Sequence, residues 1–137
     1  MTPGRRGNMA DGPRRTVEAL REKLARESSQ HRWGEAAAVA VLLGFEPVAG
    51  QGRLAVHASS DGIDWEAVLA DKTWSPSERF LIGTAAGLWS GRRTMVDISR
   101  VAFLDDAFLQ AWQDMITAAL TGRVPRAMAG TGHCRAT

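Results

Sequence analysis

This chain is poor in the residues that most directly announce chemistry. Cys134 is the only cysteine among 137 residues, which excludes an intramolecular disulfide framework and a cysteine-based zinc cluster. Histidine occurs three times, at His31, His57 and His133. No two are four residues apart, so there is no helical metal pair. His133 and Cys134 are neighbours, but adjacent side chains in an irregular tail point apart, and nothing orients them as a nucleophile and base. No apolar run is long enough to span a bilayer. The basic N-terminus lacks the hydrophobic core of a secretion signal before Arg14. These absences point to a cytoplasmic chain without membrane contact.

Catalytic and cofactor motifs are missing too. Gly87-Leu88-Trp89-Ser90-Gly91 has the wrong spacing for a nucleophile elbow, and a helix rather than a strand precedes it. Met128-Ala129-Gly130-Thr131-Gly132 lacks the Lys-Ser/Thr pair and the following helix of a phosphate loop. Asp61, Asp64 and Glu66 lack the alternation and closing glutamate of a calcium loop, and helix capping accounts for at least one of them. We therefore expect no enzyme, no cofactor, no metal and no catalytic residue.

What is present is helical patterning. In Trp74-Ser75-Pro76-Ser77-Glu78, Ser75 is suited to cap a helix. Pro76 falls at the first helical position, where its missing N–H costs nothing. Glu78 is placed to close a capping box. The helix should run from Pro76 to about Ser90, with Phe80, Leu81, Ala85, Leu88 and Trp89 on its apolar face. Gly83, Ala86 and Gly87 would let a neighbour approach closely. The two glycines cost about 1 kcal/mol each relative to alanine, so packing must offset them. Gly91 suits a left-handed terminus.

A second amphipathic helix follows Asp105 or Asp106, either of which can cap it. It carries Phe108, Leu109, Trp112, Met115, Ile116, Ala119 and Leu120 and ends at Gly122, with Pro125 beyond. Between the two, Asp97 can cap a short helix with Ile98, Val101 and Phe103, and Thr94-Met95-Val96 suits a short extended piece.

Earlier in the chain, Val17, Leu20, Leu24 and Ala25 mark a narrow stripe on a helix from about Thr16 to Ser28, suited to docking on the core, the commoner case, or to pairing with another copy. Ser28-Ser29-Gln30 reads as a break. Gly34 to Leu43 is almost wholly apolar and too short for a membrane, so it reads as a buried helix stopped by Gly44 and Pro47. Leu54-Ala55-Val56-His57 suits a short strand or part of an ordered loop after the Gly50-Gln51-Gly52 turn. Asp61 or Asp64 can cap a short helix with Ile63, Val68 and Leu69 inward.

Charge is unevenly placed. Residues 1–32 hold eight basic and four acidic residues, a net of +4, whereas residues 33–105 hold six basic and nine acidic, a net of −3. Five tryptophans are many for this length. Trp74, Trp89 and Trp112 fall on or beside apolar faces and read as core. Trp33 and Trp65 stand at helix starts and are the candidate interface anchors.

The segment Ser77-Glu78-Arg79, Ala85-Ala86-Gly87-Leu88-Trp89-Ser90-Gly91, Val96-Asp97-Ile98 and Leu104-Asp105-Asp106-Ala107-Phe108 resembles a pattern in small uncharacterised proteins of high-GC, actinobacterial-type bacteria. The resemblance runs from Ser77 to Phe108. It implies kinship and carries over no activity or site residue.

These readings combine into an all-α fold, a compact bundle of about five or six helices with room for one short β-hairpin near residues 50–58. Residues 1–13 are expected to form a disordered basic arm, 14–123 the helical domain and 124–137 a flexible tail. The expected function is that of a non-enzymatic interaction or accessory protein, binding a protein partner or itself through apolar helix faces. The alternative is a DNA-associated regulator with a helix-turn-helix-like C-terminal half. Arg5, Arg6, Arg14, Arg15, Arg92 and Arg93 would then meet phosphate. Asp105 and Asp106, at the start of the last helix, speak against that alternative.

Overall fold

The helix from Gly34 to Leu43 (α2) is apolar on every side. A helix without a polar face has to be surrounded, and Ala36 through Leu43 are all at most 4% exposed. The computed structural model describes residues 3–50, 52–91 and 96–125, and the side chains of residues 3–11 and Pro13 lie outside that description. Six α-helices and two 3-10 helices form a compact bundle among the described residues, with a single two-stranded sheet. None of these helices is long and apolar enough to cross a membrane.

The helix α1 spans Pro3–His31 and lays Val17, Leu20, Leu24 and Ser28 against the core. It begins within the stretch expected as an arm, and it also runs through the expected break at Ser28. The reason for the second difference is local. Ser28 is fully buried, and its hydroxyl donates to the Ala25 carbonyl at 2.9 Å. That bond satisfies the group inside the helix instead of diverting the backbone. The helix ends one turn later. Arg32 takes a left-handed φ of 53°, and the Trp33 amide reaches back to the Ser28 carbonyl at 3.1 Å. This is the six-to-one closure of a Schellman motif, with arginine at the position that usually holds glycine.

After α2 comes a short helix α3 (Glu46–Ala49), with Pro47 in its first turn. Where a short strand or an ordered loop is expected, Ala55–His57 forms a 3-10 turn. The hairpin follows it, later than expected, as β1 (Ala58–Ser59) and β2 (Gly62–Ile63). The strands are antiparallel, with Ala58 opposite Ile63 and Ser59 opposite Gly62. Gly62 has a φ of 153°, a conformation that side chains strongly disfavour, and it allows this two-residue return. The helix α4 (Trp65–Ala70) is capped by Asp64 rather than Asp61, its carboxylate accepting from the Ala67 amide at 3.2 Å. Val68 is buried, whereas Leu69 faces outward at 40% exposure.

The helix α5 (Pro76–Ser90) has the capping box that its sequence implies. The Glu78 amide donates to Ser75 Oγ at 3.1 Å, and the Ser75 amide donates to Glu78 Oε1 at 2.8 Å. The helix closes at Gly91 with φ 68°. The close approach expected beside Gly83 is made by Val96, whose Cγ2 would lie 3.3 Å from an added Cβ. A 3-10 helix at Ile98–Phe103 is capped by Asp97. The helix α6 (Asp106–Thr121) is capped by Asp105 and ends at Gly122 with φ 75°. Leu120, expected on its apolar face, is 81% exposed. The buried stripe of α6 runs instead through Ala111, Asp114, Met115 and Ala118, and Leu120 stands on the other side of the helix from Ala118. The expected tail from residue 126 onward, the Arg92-Arg93 pair and Thr94-Met95 fall outside the described residues.

The helix α2 packs most extensively on α6 and α1, then on α5. Two glycines set its contact with α6. A Cβ at Gly34 would collide with the Ala119 carbonyl oxygen, and one at Gly122 would lie 2.8 Å from the Arg32 Cα. Backbone meets backbone here, so no side chain can yield. Aromatic contacts close the two flanks. Phe45 meets Phe108 edge-on at 4.9 Å, and Phe80 meets Trp112 at 5.7 Å. We predict that Gly34→Ala lowers the stability of the folded chain by about 2–3 kcal/mol, because overpacking against a rigid backbone cannot relax. Urea unfolding measures it, and a change within 0.5 kcal/mol, about the size of a neutral surface substitution, would show that α2 and α6 can part.

Candidate functional site

The best-formed concavity lies where α1 crosses the corner between α2 and α3. It has a volume of about 300 Å³. Its floor is apolar, supplied by Val17 and Ala25 of α1, Ala40 and Leu43 of α2, and Ala49 of α3. Its rim is charged. Arg14, Glu18 and Arg21 come from successive turns of one face of α1, at helical spacings of four and three. Glu46 comes from the first turn of α3. The glycine at 50 makes room for that carboxylate, since a Cβ there would collide with Glu46 Oε1. Val124, beyond α6, completes the wall.

A second polar cluster gathers around Arg53. Its guanidinium lies 3.8 Å from the centroid of the Trp74 ring and donates to Thr73 Oγ1 at 2.5 Å. It stands 3.6 Å from Asp71 and 3.7 Å from Glu78. The Thr73 hydroxyl and amide both donate to Asp71. The hydroxyl is the larger influence holding the Asp71 carboxyl below its usual range, followed by the amide, with Arg53 adding to both. The buried Trp74 donates its Nε1–H to the Val68 carbonyl at 3.0 Å. The guanidinium faces are thus taken up by an aromatic ring and two carboxylates. Such a network braces the α4–α5 corner and the capping box.

The residues singled out from sequence fall in different places. Trp33 is 37% exposed and stacks on Trp89 at 5.1 Å. Trp65 is half-buried and packs against the core, so of the two candidate anchors it is the less accessible. The indole of Trp89 also forms one wall of a shallow groove beside the hairpin, with His57, Asp61 and Asp64. Arg14 and Arg15 are exposed on α1. The side chains of Arg5 and Arg6, and the whole of Arg92 and Arg93, lie outside the described residues. His31 is exposed at the end of α1. Among the described residues no three His, Cys, Asp or Glu side chains converge as a metal site. Comparison with family models, with curated proteins and with solved structures found no match.

Sequence reasoning offers Arg14 only as a phosphate contact and passes over the rest of the charged rim, because Glu18 and Arg21 read as an ordinary solvated helix face until α3 folds over them. It also passed over Asp114, which is 7% exposed on α6. The only polar contact of its carboxylate among the described residues is the Gln110 side-chain amide at 3.0 Å. Burial raises the carboxyl above its usual range, and the Gln110 bond offsets only part of that. A raised value in the fold means that the protonated form is favoured there. Asp114 therefore contributes most to stability below the ordinary carboxylate range, and that contribution is lost as pH rises through its folded value. We predict that Asp114→Asn raises the melting temperature at pH 7 and that the difference from the native chain disappears below about pH 4. A thermal melt series across pH measures this, and a gap independent of pH would refute the burial argument.

Proposed function

We propose that this chain is a non-enzymatic interaction protein that engages a protein partner through exposed apolar helical surface. The observation that carries this is the 3-10 helix Ile98–Phe103. It buries none of its six residues and holds Ile98 at 64% and Phe103 at 73% exposure. Scattered exposed leucines are ordinary. Two large apolar side chains left exposed on one short element, which packs on the core only partly through Val101, make a better contact patch. The Arg100 guanidinium sits 5.7 Å from the Phe103 ring, giving the patch a cationic edge of the kind enriched at interfaces. Trp33 is a second anchor, held flat by its stack on Trp89 and still open to solvent on its far side.

The test is a paired one. The native chain and the double variant Ile98→Asp/Phe103→Asp are compared by sedimentation and by crosslinking in the lysate of the host. A species that forms with the native chain and is lost in the variant, at equal melting temperature, is the expected result. Identical behaviour of the two chains would remove the patch from the reading.

A DNA-associated regulator is the second reading, favoured by the exposure of Arg14 and Arg15 together on α1. Its helix-turn-helix form has little support. The helix α6 opens with Asp105 and Asp106 and contains no lysine or arginine, and its middle is spent on packing against α2 and α5. The reading predicts duplex binding that weakens steeply with salt and drops on removal of residues 1–15. No retardation of mixed duplex even at low ionic strength would end it.

A further inference from the structure

We propose that the cavity between α1 and the α2–α3 corner binds a compact aliphatic zwitterion, an α-amino acid with a branched apolar side chain. The inference is independent of the protein-partner reading and uses none of its residues.

Three features of the cavity select this class. The first is the sign pattern of the rim. Arg14 and Arg21 alternate with Glu18 along α1, and Glu46 faces them from α3. None of the four makes an ion pair with another described residue. A ligand of one sign, whether a phosphate or a polyamine, would gain two attractions and suffer two repulsions here. A molecule carrying both signs close together gains from both pairs. The second is the floor. Val17, Ala40 and Leu43 are buried beneath it, and the half-buried Ala25 and Val124 keep carbon surface open to the cavity, which a polar ligand body would desolvate without compensation. An aliphatic one gains by burial. The third is size. About 300 Å³ is at the lower limit of small-molecule sites, which run from roughly 300 to 1,000 Å³. That is too small for a long acyl chain or a nucleotide.

Roles follow from burial. Arg21 is the half-buried cation of the rim, so its planar fork is best placed to hold the carboxylate in a bidentate pair. Glu18 and Glu46 then face the ammonium. Gly50 is needed so that Glu46 can fold over the rim, since any side chain at that position would displace its carboxylate.

The probe is L-leucine, titrated into the full chain by calorimetry and by amide NMR shifts. N-acetyl-leucine, which lacks the ammonium, and leucinamide, which lacks the carboxylate, are run beside it. The expected result is saturable leucine binding with a Kd below about 1 mM and at least tenfold weaker binding of both blocked forms. Arg21→Ala should weaken leucine binding at least tenfold, and Arg15→Ala, on the same helix but outside the cavity, should leave it unchanged. Ala49→Leu fills the floor without touching a charge and should abolish binding. Circular dichroism confirms that each variant keeps its helices. If leucine does not saturate below about 10 mM, the proposal is overturned. Equal affinity for leucine and either blocked form, or full binding by Ala49→Leu, overturns it as well.

Discussion

Everything in this bundle is arranged around the need to cover α2 on all sides. Eight consecutive residues, Ala36 to Leu43, are buried. Four of them are alanines, so the helix is slim and its neighbours come close. Slimness alone would leave gaps, and the two glycine contacts remove them. Gly34 lets the start of α2 touch the Ala119 carbonyl, and Gly122 lets the end of α6 touch Arg32. The left-handed Arg32 belongs to the same constraint. It turns the chain sharply enough for α1 and α2 to lie side by side, and that gain outweighs roughly 1–2 kcal/mol of backbone cost for a residue other than glycine.

The parts legible in the sequence are those where local chemistry and tertiary demand agree. The Ser75–Glu78 capping box, the Asp97 cap and the glycine ends at Gly91 and Gly122 need only a few neighbouring residues to be recognised. The bounds of α2 follow from an apolar run too short for a membrane and too uniform for a surface. Where two candidates stood side by side, only backbone geometry decides. Asp64 and Asp105 cap their helices because each precedes the first helical residue with its side chain near the amide three positions on. Asp61 instead sits in the hairpin turn, its amide donating to Ser59 Oγ at 3.2 Å.

The parts not legible are decided by long-range contacts. Nothing near Ser28 announces that its hydroxyl will be fully buried and turned onto its own helix. Periodicity places Leu120 on the apolar face of α6, yet the stripe that becomes buried runs through Ala111, Met115 and Ala118, and Leu120 stands on the other side of the helix from Ala118. Leu69 is adjacent to the buried Val68 and faces water because α4 is only six residues long and packs along one edge. The hairpin slipped past its expected place because Leu54, fully buried, anchors the preceding 3-10 turn into the core. The Arg53 cluster joins residues up to 25 positions apart, from Arg53 to Glu78, and no local pattern links them.

The two proposed surfaces stand on different supports, and this shapes what each can do. The rim charges Arg14, Glu18 and Arg21 project from α1, which packs extensively on α2 through a stripe whose Val17 and Ala25 also line the cavity, so the cavity is backed directly by the core. Such a site suits a small ligand, because little ordering remains to oppose binding. The 3-10 helix Ile98–Phe103 is different. It contacts α5 more than any other element, contributes no fully buried residue and has the poorer hydrogen-bond geometry of its class. Elements with few buried contacts lie at the low end of local stability. A macromolecular partner covering Ile98 and Phe103 would supply the burial that this element lacks, so binding and local ordering would reinforce each other. The cavity and the patch share no residue, and loss of one therefore leaves the physical case for the other intact.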